Sequence, residues 1–213
     1  MSILRGVNMD NGTEFVTAVK NAIKEDLQQL CGEDECVEKD GIIRVLVSSF
    51  GVTGSGAIIE AAVEALPNGD ALQYPVVHFN FTLAKDIDPE YFGNVAGLLN
   101  DLNVIFQVGE FPSFGTFCLY KPLKQIVYGY RMPINVDAFE AERENIRFFL
   151  ATVFDQLDIF VDLIQLVAQG IEELTAELFI TYLEGMKNLY DLQERLEVIE
   201  KMLADLKNET PKA

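Results

Sequence analysis

The residues most suggestive of chemistry are Gly51, Gly54 and Gly56, which follow the largely apolar run Ile43-Arg44-Val45-Leu46-Val47. Glycines placed after a strand let backbone amides approach a phosphate closely at the start of a helix. The spacing here fits neither Gly-x-Gly-x-x-Gly nor Gly-x-x-x-x-Gly-Lys-Ser/Thr, and no lysine stands in the loop to meet phosphate charge. A dinucleotide fold would also need further βαβ repeats, whereas this chain continues into a hairpin and helices. Gly51 to Gly56 is therefore read as a glycine-rich hairpin loop, with a nucleotide-binding enzyme that uses loop 51–56 as the alternative.

Cys31 and Cys36 flank Glu33, Asp34 and Glu35, a set of thiols and carboxylates that could attract a soft metal. A structural zinc site gathers four ligands. Here no second Cys/His pair is present: Cys118 is distant and expected to be buried, and His78 is the single histidine. Neighbouring acids also raise a thiol's pKa and suppress its reactivity, so these cysteines are read as incidental. His78 lies within an apolar strand and is read as a sheet histidine, since nucleophilic catalysis would need it beside an activated partner. Asp155, Asp158 and Asp162 fall on one stripe of a helix and could hold a hard divalent cation if another carboxylate faced them. No Glu-x-x-His or comparable motif accompanies them, and the stripe is read as a solvated face. No catalytic, cofactor-binding or metal-ligating residue is assigned.

The elements that must position these residues are set by composition first. The chain has 213 residues, 49% of them hydrophobic, and only 7 prolines. That is enough apolar material for one folded domain, or one domain with a helical appendage. Acidic residues number 34 against 16 basic, a net charge of −18. Such a chain repels phosphate backbones and anionic bilayers, so no nucleic acid or membrane partner is expected. The acidity serves solubility or attracts a basic partner. Met1 to Phe15 lacks the apolar run of a secretory signal. The most hydrophobic stretch, Ile146 to Ala168, carries the three aspartates already named and reads as a soluble helix. Three cysteines do not make a disulfide framework, which points to a reducing cytoplasm.

Helical spacing of Phe15, Val19, Ile23, Leu27 and Leu30 predicts a helix that begins at Thr13 and stops at Gly32. The polar residues from Gly32 to Gly41 read as a surface connection. Ile42 to Phe50 reads as a strand, as does Ala57 to Leu66, although Glu60 and Glu64 also suit a helix. Val76 to Leu83 is the strongest strand signal. Asp88-Pro89-Glu90 then opens a helix whose apolar face runs from Tyr91 to Ile105. Strands around Val108 to Tyr120 and Gln125 to Ile134 follow, joined by Lys121-Pro122-Leu123-Lys124 as a tight hairpin. A long helix from Glu140 to Gln169 closes the series. After Gly170, Tyr182, Gly185, Leu189, Leu192, Leu196, Ile199, Leu203 and Leu206 alternate at three- and four-residue steps, the pattern of a helical seam. Arg195 and Glu200 could pair across a parallel dimer. The same helix could equally fold back on its own chain.

The segments Pro75 to Leu83, Leu98 to Asn103, Val108-Gly109-Glu110-Phe111 and Val127-Tyr128-Gly129-Tyr130-Arg131-Met132-Pro133-Ile134 together resemble the YbjN-like proteins, relatives in fold of type III secretion chaperones. The resemblance covers Ile42 to Gly170. It implies a two-layer α+β fold of order α-β-β-β-α-β-β-α with an antiparallel sheet. It also implies a non-enzymatic, protein-binding or chaperone-like role, often as a homodimer. The expected organisation is such a domain over 1–170, an amphipathic heptad helix over 171–208 and a disordered tail over 209–213. The oligomer seam would be Tyr182, Leu189, Leu192, Leu196, Ile199, Leu203 and Leu206.

Overall fold

Along much of each central strand, buried side chains alternate with less buried ones, as the pleat requires. The computed structural model describes residues 12–32, 36–51, 54–68, 72–108, 114–135, 138–171, 174, 175, 178, 181 and 199–205. Helix α1 (Gly12–Cys31) leads into β1 (Cys36–Lys39), β2 (Ile42–Phe50), β3 (Ser55–Asn68) and β4 (Leu72–Ala84). Helix α2 (Phe92–Val108), β5 (Thr116–Tyr120), β6 (Gln125–Pro133) and α3 (Phe139–Ala168) follow. The strands form a six-stranded sheet ordered β1-β2-β3-β4-β6-β5, antiparallel at every pairing. The α+β class with an antiparallel sheet is as the sequence predicts.

Register explains which face is covered. Val45, Ile59, Phe81, Tyr128 and Phe117 stand side by side across the sheet and are all buried. Phe15, Val19, Ile23 and Leu27 of α1 pack against this face, as do Val95, Leu98, Leu99 and Leu102 of α2. Helix α3 adds Phe149, Val153, Leu157 and Phe160, and Gln165 donates its side-chain amide to the Leu83 carbonyl of β4. The intervening row, Arg44, Glu60 and Asn80, points the other way, where Arg44 Nε lies 2.7 Å from Glu60.

The element boundaries differ from expectation in instructive places. Cys36–Lys39, read as part of a polar connection, pairs with Ile42–Val45 as an edge strand. Its composition hides it, because Glu38 on its covered side is held by Lys20 at 2.7 Å and Lys24 at 3.4 Å rather than by apolar burial. The first hairpin strand begins at Thr116, not near Val108, and α2 runs on to Val108. The run Leu102-Asn103-Val104-Ile105 has strand-like β-branched residues, but Leu98, Leu102 and Ile105 keep helical spacing and pack inward. Residues 109–113, including Phe111, lie outside the described residues. From α2, the Asn103 carboxamide accepts the Phe117 N–H at 2.8 Å and donates to the Phe117 carbonyl at 3.0 Å. The helix thus occupies part of an edge that would otherwise invite another strand. Cys118, expected to be buried, is exposed, since its neighbour Phe117 takes the core side of β5.

Other local readings hold. The Asp88 side chain accepts the Glu90 N–H at 3.1 Å with Pro89 in the first turn, which is 3-10 before α2 begins at Phe92. The hairpin turns through Lys121–Leu123 and closes on Lys124 in a left-handed conformation. Of the C-terminal seam, Tyr182, Leu189, Leu192, Leu196 and Leu206 lie outside the described residues. Ile199 and Met202 are buried, Leu203 is partly so, and all three pack with the chain's own core.

Candidate functional site

At the end of β2 the chain turns at Gly51 with φ of 69°. Its N–H donates to Asp158 Oδ1 of α3 at 2.9 Å, across 107 positions of sequence. A Cβ at Gly51 would fall 2.5 Å from Asp162 Oδ1. Both the left-handed backbone and the close approach of the helix therefore require glycine here. The glycine turn and the aspartate stripe, separate in the sequence, form one contact.

This contact corrects the reading of the stripe as a solvated face. Asp155 is exposed, Asp158 is half-buried and Asp162 is 1% exposed. The residues sit at i, i+3 and i+7, which keeps them on one side of α3 but does not say how deeply that side is covered. The glycine turn does meet an anion, and it is the chain's own carboxylate. A phosphate brought to Gly51 would stand beside two aspartates and be repelled by them, which weighs against nucleotide binding at this loop.

Beside this contact an open groove of about 400 Å³ is lined by Leu30 and Cys31 from the end of α1, Leu46, Val47, Ser48 and Phe50 from β2, and Phe154, Asp155 and Asp158 from α3. Leu30 and Leu46 remain 49% and 50% exposed. Burial, and secondarily the nearby Cys36, pushes the Cys31 thiol up to about 11. Cys36 is also raised, chiefly by burial, against the pull of Lys24. Both are protonated and poorly nucleophilic near neutral pH. Among the described residues, no group of three or more His, Cys, Asp or Glu side chains gathers as a metal ion would need. His78 stands on the sheet face opposite the core, 3.3 Å from Glu64 on the neighbouring strand.

The same helix pair carries a second acidic contact that sequence reasoning missed. Asp26, 2% exposed, accepts hydrogen bonds from Arg143 Nη2 at 3.1 Å and Arg147 Nε at 3.0 Å. Glu25 meets Arg143 at 3.0 Å. The Asp26 hydrogen bond, before all other causes, raises the Arg143 pKa further. The available signal was Asp26 itself, an acid set between Ile23 and Leu27 on the apolar stripe of α1. Its partners were hidden because Arg143 and Arg147 occupy ordinary polar positions more than a hundred residues away.

No helix among the described residues is long and apolar enough to cross a membrane. Compared with known proteins, the chain matches no family model, no curated protein and no solved structure.

Proposed function

We propose that this chain is a non-enzymatic, cytoplasmic protein-binding domain of the chaperone-like kind suggested by its resemblance to YbjN-like proteins. The observation that carries the reading is an apolar corner on a strongly acidic chain. Leu30, Val37 and Leu46 each remain about half exposed or more. Val37 pairs with Arg44, which places it on the same sheet face as Leu46, two residues further along β2, and Leu46 shares the groove with Leu30. Val37 and Leu46 lie on the sheet face away from the helices, and large apolar side chains left open in this way mark surfaces that another polypeptide covers. Basic partners are favoured by the net charge of −18, and nucleic acid is disfavoured by it.

A photo-crosslinking residue at Leu46 in the native cell tests this. Discrete protein adducts at Leu46, absent when the same group replaces exposed Asn94 on α2, are expected. Equal labelling at both positions, or none at Leu46, would remove the reading. Homodimerisation through Tyr182, Leu189, Leu192 and Leu196 is a separate part of the proposal. Light scattering of the full chain should give a dimeric mass that Leu192→Asp converts to monomer, and a monomeric mass at the outset would discard it.

A further inference from the structure

We propose that the sheet face away from the helices receives a second copy of this chain, face to face. This rests on the protein-binding reading and names the partner that covers Leu46. An antiparallel sheet with one solvated face ordinarily keeps that face polar. Here register places Leu46, Ile58, Thr82 and Val127 in one outward row, and Val37 and Ile42 share the same face. Leu46 is 50% exposed and Val37 59%.

Charge decides the occupant. Among the described residues, the charged side chains on this face are Lys39, Arg44 and Arg131 against Glu60 and Glu64. The whole chain carries 16 basic residues against 34 acidic. A basic partner attracted by the whole chain therefore finds no excess of carboxylate here. Two copies of net charge −18 repel one another, and this face lets them meet without adding to that repulsion locally. A contact between identical copies needs a patch that complements itself about a two-fold axis. Arg44 and Glu60 supply one, since they stand opposite each other on β2 and β3, 2.7 Å apart, with side chains still 40% and 35% exposed. A two-fold axis along the strands, midway between β2 and β3, sets each Arg44 over the other copy's Glu60. The same axis sets each Leu46 over the other copy's Ile58, which stands opposite it in the register. Sheets stacked in this way keep their strands nearly aligned. Four strands about 4.8 Å apart and about five residues long present on the order of 300 Å² per copy, which puts the contact in the weak class.

The test places the photo-crosslinking residue at Leu46 of the purified full chain, at about 0.1 mM, where a weak contact is populated. We expect a covalent dimer whose adduct maps to β3 around Ile58. Arg44→Glu and Glu60→Arg, each carrying the same group, should separately lower the adduct about fivefold or more. An equal mixture of the two variants should restore it, because each charge then meets its opposite, and recovery on mixing separates a lost contact from a lost fold. The inference is overturned if no self-adduct forms, if the adduct maps away from this face, if the single variants crosslink as the native chain does, or if mixing restores nothing. A Leu46 adduct with a different protein in the native cell, without a self-adduct, overturns the inference and leaves protein binding standing. A contact this small does not hold in dilute solution, so the mass expected from the seam at Leu192 is judged independently.

Discussion

Helices α1 and α3 run past one another in the same direction, with Phe15 against Phe139 at a ring separation of 5.5 Å near their beginnings. Their contact then passes through two acidic regions of opposite character. In the first, the buried Asp26 carboxylate is matched by two guanidiniums and sealed. In the second, past Leu30, the helices border an open groove where Asp158 takes the Gly51 amide and Asp155 faces solvent. The same residue type thus locks the fold at one end and leaves a charged opening at the other. What separates them is the partner: two guanidiniums at Asp26, and the Gly51 backbone amide at Asp158.

The largest effect should come from the glycine that holds the open end in shape. Gly51→Ala combines a left-handed backbone with a Cβ inside contact distance of Asp162 and is expected to cost about 3 kcal/mol in urea unfolding. A cost below about 1 kcal/mol would mean that Asp162 yields easily and that the turn is not rigidly tied to α3. At the sealed end, Asp26→Asn removes the charge that two arginines share and should cost about 2 kcal/mol, moderated because Arg147 is partly solvated. If Asp26→Asn is neutral, the ion-pair cluster does not lock the helices and the contrast between the two ends collapses.

Smaller effects sharpen the comparison. Cys31 lines the groove, and its pKa rises from 9.0 to about 11 on folding. Its neutral form is the one the fold favours, so its contribution is fully present below pH 9.0 and is lost as pH rises toward about 11. Stability of the native chain should therefore fall over that interval more than stability of Cys31→Ser. Alkylation near neutral pH should reach exposed Cys118 before Cys31. Smallest of all, Asp155→Asn should change stability by no more than about 0.5 kcal/mol, since its side chain is on the surface. A larger loss would place Asp155 in the structural framework and not at an opening.

Much of the architecture was legible because it depends on local periodicity. Phe15, Val19, Ile23 and Leu27 at helical spacing, and the strand run Val76 to Leu83, required burial on one side whatever their partners. The strand β1 was not legible, because Glu38 is held by lysines on a helix and leaves no apolar alternation to read. The start of the hairpin was misplaced because the β-branched residues after Leu102 favour a strand locally, while packing of the helical stripe carried α2 on to Val108.

For the candidate site, the sequence by itself determined the ingredients: a glycine turn without phosphate-binding spacing, three aspartates on one side of a helix, and a large negative charge. Only the tertiary structure decided that Gly51 binds Asp158, that Asp162 is buried behind it, and that Leu30 and Leu46 border the resulting groove. The reason is physical. Periodicity fixes which residues share a face, but the burial of a carboxylate depends on what is packed against that face from a distant part of the chain.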